Sequence, residues 1–325
     1  MANQTHFPTV GIIGGSQIAR MLIEAATRLN LDIKILCQDS QESAALIANS
    51  VSVGDTSNYS ELTKFAIGTE VITFDTYQFS IENLKKLDEQ GQLFRPSLST
   101  IEKLHDLNLV RQSLRDAGLQ VNHDDIKGQR ELSLQVARSP HGQSVVYPVS
   151  QIKRIDDVLD EVITPAPNLS DFSASQLQSI ALRISELFNI IGIFTVEFLD
   201  IGNSEFLISQ IKLGPTNSGH WTIDGATTSQ FENHLRAILD LPLGSPNLVA
   251  PFTVMVNVLG GQYEDMYKPF LHCMAHDPEL RIHLYGKQVK EGIKVGHVNI
   301  SGNDVSDLIE RAHHAADYLT GKITE

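Results

Sequence analysis

The chain has 325 residues, 42% of them apolar and 20% charged, enough to bury the cores of two or three domains. Its 25 Lys and Arg against 39 Asp and Glu give a formal charge of −14, which argues against binding along a nucleic-acid backbone but leaves room for a local basic pocket. Two cysteines (Cys37 and Cys273) without metal spacing, no apolar run near the ~20 residues of a membrane span, and a polar stretch over 1–7 predict a soluble α/β protein of a reducing cytoplasm, with no membrane and no nucleic-acid partner.

Residues 9–14 form a short β-branched run ending in glycine, the pattern of a buried parallel strand. Apolar residues at Ile18, Met21, Leu22, Ala25, Ala26 and Leu29 follow at the spacing of an amphipathic helix. The pattern then predicts a strand over 32–36, a helix over 60–67, a strand over 71–74 and a helix over 80–87. Strands separated by helices imply βαβ units and a parallel sheet. A single linking helix is expected over 100–117, between Pro96 and Gly118. Beyond it, 132–136 and 145–147 read as strands joined through Pro140-His141-Gly142, and 173–187 as a helix. Residues 192–199 and 205–211 read as a hairpin and 229–239 as a helix. Pro242-Leu243-Gly244-Ser245-Pro246 marks a domain boundary. Strands over 253–259, 281–285 and 295–300 and a helix over 304–319 complete the chain, with no internal repeat.

Three stretches stand out for their chemistry. Gly14-Gly15-Ser16-Gln17 lies between the first strand and the first helix, where backbone N–H groups bind anions. The alternative is a tight turn with no ligand. Pro215–Thr222, with Asn217, His220 and the chain's only Trp, is either a binding loop or an ordinary turn anchored by Trp221. Tyr285-Gly286-Lys287, with Lys290, Lys294 and His297, is either a phosphate grip or a solvated hairpin with scattered lysines.

The run Gly11-Ile12-Ile13-Gly14-Gly15-Ser16-Gln17-Ile18-Ala19-Arg20-Met21 resembles the opening of N5-carboxyaminoimidazole ribonucleotide synthetase, the ATPase subunit of phosphoribosylaminoimidazole carboxylase. Asn217-Ser218-Gly219-His220-Trp221-Thr222, Thr228-Ser229-Gln230-Phe231-Glu232, His234-Leu235-Arg236-Ala237 and Met255-Val256-Asn257-Val258-Leu259-Gly260 continue the likeness. Tyr285-Gly286-Lys287 and Lys294-Val295-Gly296-His297 follow in the family's order. The resemblance implies an ATP-grasp carbon–nitrogen ligase of purine biosynthesis. Such enzymes use ATP, magnesium and bicarbonate to carboxylate 5-aminoimidazole ribonucleotide, and are usually homodimers. It implies an α/β fold with a Rossmann-like domain over 1–98, a linker helix and shortened connection over 99–127, an ATP-grasp lobe over 128–244 and a small C-terminal domain over 245–325. It places the substrate phosphate at Gly15, Ser16, Gln17, Lys287, Lys294 and His220. Glu131 and Asn217 are the remnants of the ATP site, and Glu197 of the metal site.

The departures from the family are specific. The smaller ATP-clamping lobe, with its lysine and glycine-rich loop, belongs between the linker helix and Glu131-Leu132-Ser133, where the chain has only a short connection. The second magnesium carboxylate falls at Gln210, next to Ser209 where the family has Asn. The family's Arg and His beyond it fall at Gly214 and Thr216, and a basic residue of the linker falls at Leu107. Tyr77 replaces a Glu within Asp75-Thr76-Tyr77-Gln78, and Ile293 replaces an Arg of the phosphate clamp. Phosphoryl transfer depends on positioning and charge neutralisation. This set of losses therefore predicts weak or no ATP and magnesium binding and no catalytic residue set left intact. The alternative is a non-catalytic binding or regulatory homodimer that keeps a pocket for a phosphorylated ligand such as 5-aminoimidazole ribonucleotide, or pairs with an active paralogue. A dinucleotide-dependent oxidoreductase is disfavoured, because Gly11, Gly14 and Gly15 do not form G-x-G-x-x-G.

Overall fold

A computed structural model of the chain describes residues 7–122 and 128–324. The N-terminal part holds β1 (Thr9–Ile13), α1 (Gln17–Arg28), β2 (Asp32–Cys37), β3 (Ser50–Val53), α2 (Tyr59–Ala66), β4 (Val71–Phe74), α3 (Ile81–Asp88) and β5 (Leu93–Phe94). These strands form a parallel sheet in the order β3-β2-β1-β4-β5. Every residue of β1 and β4 is buried, as expected of central strands covered by helices on both faces. The strand order reverses between β1 and β4, and the crevice at their carboxyl ends is where open α/β sheets receive ligands. Strands β3 and β5 escaped the sequence reading because β3 is exposed throughout and β5 is two residues long.

The single helix expected over 100–117 is two, α4 (Leu98–His105) and α5 (Leu107–Asp116). Asp106 breaks the run. Its carboxylate accepts the N–H groups of Asn108 and Leu109 at 3.0 and 3.1 Å, capping a second helix and ending the first. The connection expected at the end of 99–127 lies in part, over 123–127, outside the described residues.

The rest of the chain adds β6 (Arg130–Arg138), β7 (Ser144–Val146), β8 (Ser150–Ile155), β9 (Val158–Thr164), α6 (Asp171–Leu187), β10 (Gly192–Gly202) and β11 (Glu205–Leu213). After a 3₁₀ turn at Asn217–Gly219 come α7 (Thr222–Gly225), α8 (Gln230–Ile238), β12 (Phe252–Leu259), α9 (Tyr267–His276), β13 (Arg281–Leu284), β14 (Lys294–Gly302) and α10 (Val305–Thr320). One sheet runs β11-β10-β6-β8-β9-β12-β14-β13, with β7 paired to β6. It crosses the boundary expected at 245: Thr253 pairs with Thr164 and Val254 with Ile163. The C-terminal region thus extends the sheet of the region before it. Strands β8 and β9 were missed because charged residues interrupt their alternation, and their turn uses Asp156 and Asp157 at φ +48° and +63°, not glycine.

The face of β6 and β10 that carries Leu132, Leu134, Val136, Phe194, Val196 and Phe198 packs on α6. The opposite face, by the period of two, presents Glu131, Ser133, Gln135, Thr195 and Glu197.

Helix α8 joins the two sheets. Phe231, Leu235 and Ile238 pack with Val10, Leu22 and Ile35 of the N-terminal core. His234 accepts the Ile193 N–H on Nδ1 at 3.1 Å, so its protonated Nε2 donates to Thr73 Oγ1 at 2.8 Å. Burial pushes the His234 pKa down to about 3 and keeps the ring neutral. Tyr147 locks the same region: it is fully buried, donates to Thr228 O at 2.9 Å and accepts from Asn233 Nδ2 at 2.7 Å. Tyr147→Phe removes both hydrogen bonds from the core and is expected to lower unfolding stability by roughly 1–3 kcal/mol, read by urea denaturation.

Candidate functional site

At the end of β1, Gly14 has φ +118°, and a Cβ there would lie 3.0 Å from the Asp75 side chain. Gly15 is closed in further: a Cβ would fall 2.8 Å from Cys37 Cβ. These contacts let the chain turn tightly into α1, which Ser16 caps by accepting the Ile18 N–H at 3.1 Å. Ser16 also donates its N–H and its hydroxyl to Asp75, at 2.6 and 2.7 Å. The donors expected to face a phosphate are therefore engaged by a carboxylate. Burial, partly opposed by these hydrogen bonds, raises the Asp75 pKa to about 6.

The C-terminal cluster comes to this turn. Ser43 Oγ and Arg20 Nη1 both donate to Tyr285 O, at 2.5 and 3.5 Å, which docks Tyr285-Gly286-Lys287 on α1. Lys287 Nζ then donates to Gln17 Oε1 at 2.6 Å. Lys287 is thus built into the junction, whereas Lys290 is exposed. Lys294 is partly buried, and its pKa is pushed down to about 8 by burial and by Lys287, Arg154 and Lys212. Ile293 beside it is 48% exposed.

His220 does not join this group as a phosphate contact. It is fully buried, in ring contact with His297, Phe231 and Tyr285. Burial, reinforced by Lys294 and His283, holds its pKa well below the usual value, so it is a neutral core histidine. Trp221 is likewise a core anchor, edge-on to Tyr147 at 6.2 Å. Asn217 differs: both its side-chain polar atoms are buried without a partner. Next to it, Ser218 Oγ accepts from Ser133 Oγ at 2.8 Å.

Glu131 and Glu197 sit on the polar face of the sheet, but they meet cations of the chain itself. Arg154 donates Nε to Glu131 at 2.9 Å and Nη2 to Glu197 Oε2 at 3.0 Å. Lys212 donates to Glu197 Oε1 at 2.7 Å. Gln210 is paired with Glu197 across the hairpin and is exposed. A magnesium ion seeks free carboxylate oxygens. Both oxygens of Glu197 are engaged and Gln210 is neutral, so these residues do not fit that ion. Among the described residues no three His, Cys, Asp or Glu side chains are grouped to hold a metal. Leu107 is 67% exposed. The Tyr77 hydroxyl is buried without a partner, and the ring lies edge-on to His105.

Arg154 and Lys212 escaped the sequence reading. Lys212 falls one residue beyond the strand expected over 205–211, and β11 runs on to Leu213, which puts Lys212 on the face of Gln210. Arg154 lies in β8, a strand the reading did not assign.

Residues 7–102 match the ribonucleotide synthetase preATP-grasp domain, 88–231 the ATP-grasp domain, and 253–311 the phosphoribosylaminoimidazole carboxylase C-terminal domain. The chain is 34% identical to N5-carboxyaminoimidazole ribonucleotide synthase of Mycobacterium bovis over 377 aligned positions, covering 96% of this chain and 88% of that protein. The chain belongs to the N5-carboxyaminoimidazole ribonucleotide synthase family. The crystal structure of the Thermus thermophilus synthetase superposes with a TM-score of 0.88 at 25% identity, over 97% of this chain and 99% of that one. The Aspergillus clavatus enzyme, solved with ADP and 5-aminoimidazole ribonucleotide, superposes at 0.87 with 23% identity, over 97% and 99%. The fold is the α/β ATP-grasp fold of this family, with N-terminal and C-terminal domains. Among the described residues no helix is long and apolar enough to cross a membrane.

Proposed function

We propose that this family member binds the phosphate of 5-aminoimidazole ribonucleotide, or a close phosphomonoester, at the junction of α1 with the 285–294 segment, and does not perform the family's ATP-dependent carboxylation. The observation that carries the first half is the docking of Lys287 on Gln17 at 2.6 Å, with Lys294 in the same charged cluster. A helix N-terminus and two ammonium groups offset a phosphomonoester's charge without help from a nucleotide. Phosphate would have to displace Asp75 from Ser16. Burial has raised the Asp75 pKa to about 6, so that displacement is easier below pH 6, where Asp75 is protonated.

The second half rests on what the nucleotide would meet. Asn122 and Gly128 are joined only by residues 123–127, too short a stretch for a clamping lobe, and the alignment with the M. bovis relative spans 377 positions against the 325 residues here. Gln210 and the ion-paired Glu197 supply no metal ligand pair.

Calorimetric titration with 5-aminoimidazole ribonucleotide, and separately with inorganic phosphate, tests the reading. Binding is expected, weakened by salt. Lys294 carries its charge below its folded pKa of about 8 and loses it above, so affinity should fall as pH rises through 8. Heatless titrations at low salt and neutral pH, or turnover of ATP and bicarbonate with the ribonucleotide, would overturn it.

A further inference from the structure

We propose that Arg154 and Lys212 take the place of a divalent cation at Glu197, so that ligand binding at the junction proceeds without metal. The proposal rests on the reading of the junction given above. Register places the residues on one face of the sheet. Ser133 pairs with Glu197, Glu197 with Gln210 and Glu131 with Ile152, while Arg154 and Lys212 each stand two positions along their strands from a member of that face.

Glu197 is 5% exposed, and a buried carboxylate requires a matching positive charge. A metal ion supplies it in a metalloenzyme. Here a guanidinium bridges Glu131 and Glu197, at 2.9 and 3.0 Å, and an ammonium takes the remaining Glu197 oxygen at 2.7 Å. The fork geometry of Arg154 suits two carboxylates at once. Burial works to discharge Arg154, but its hydrogen bond to Glu131 and the charge of Glu197 outweigh it and keep the group cationic. The carboxylates are thus neutralised from inside the chain, and each oxygen of Glu197 already meets a cation that an incoming metal ion would have to displace or tolerate at close range.

At the junction itself Lys287, docked on Gln17 and near enough to Lys294 to lower its pKa, faces the Asp75 carboxylate that holds Ser16. An oxyanion arriving there needs no accompanying metal.

The test uses the full chain. Manganese, as a paramagnetic probe, is expected to show no binding tighter than millimolar by electron paramagnetic resonance, and millimolar magnesium should leave the melting temperature unchanged. Chelation by EDTA should leave phosphate binding unchanged. Glu197→Gln should lower the melting temperature by a few degrees, because it leaves the half-buried Arg154 and Lys212 facing each other without the carboxylate between them. Glu197→Gln combined with Lys212→Met should recover part of that loss, which guards against a variant that merely misfolds. Micromolar manganese binding, stabilisation by magnesium, or an unchanged or raised melting temperature in Glu197→Gln would overturn the proposal. Absence of phosphate binding would instead overturn the reading of the junction, and leave the manganese and melting results to decide this one.

Discussion

Titrating MgATP into the protein is expected to reveal no binding tighter than about 1 mM, several kcal/mol short of a micromolar site. ATP-grasp chemistry holds the nucleotide between two lobes, and on the proposed reading the short stretch between Asn122 and Gly128 leaves this chain without one of them. The surviving floor is no better suited. Glu197 is held by Arg154 and Lys212, Gln210 carries no charge, and the whole chain has a formal charge of −14. A triphosphate stripped of its metal meets an acidic protein. Each positioned charge lost from such a site costs ~10²–10³ in rate. If the proposed reading holds, Gln210→Glu alone should therefore restore neither binding nor carboxylation, since Glu197 is still engaged by Arg154 and Lys212. Calorimetry decides the matter: a micromolar, magnesium-dependent isotherm for the unmodified chain would show that the nucleotide half of the site works.

Lys287→Ala is expected to weaken phosphate or 5-aminoimidazole ribonucleotide at least about tenfold, which is about 1.4 kcal/mol. Lys287 contacts the α1 turn through Gln17. The comparison that gives the result meaning is Lys290→Ala. Lys290 belongs to the same basic stretch but is exposed, so its loss should change affinity little. Equal losses from the two variants would mean that the cluster acts only as a diffuse positive field. No loss from Lys287→Ala would place the ligand elsewhere.

The parallel sheet was legible because its central strands are uninterrupted apolar runs, as at Val10, Ile12, Val71 and Phe74, and its helices repeat at 3.6. The hairpin of β10 and β11 was legible for the same reason on one face. Asp106 was harder to read: an aspartate inside a helical pattern is either a surface residue or a cap, and only the backbone distinguishes them. The candidate site was half legible. Motif order brought Gly15, Gln17 and Lys287 together, although 270 residues separate Gln17 from Lys287. His220, expected at the phosphate, is fully buried in this structure, and a histidine in a polar, glycine-containing loop has the same letters whether it faces solvent or the core. The partners of Glu197 could not be read, since Arg154 reaches it from a strand whose register no local pattern reveals.

The pairing of β12 with β9 sets how divisible this protein is. Residues 253–256 find their backbone partners in 161–164, across the connection that looks in sequence like a natural seam. A piece beginning after that connection would carry the full hydrophobic stack of β12, β14 and α10 yet present one flank of β12 with no neighbour. Such a flank is a template for pairing with other chains. The seam is therefore not a mechanical joint. Shortening, fusion or shuffling of the C-terminal region has to carry β9 along with it to leave a closed and soluble product.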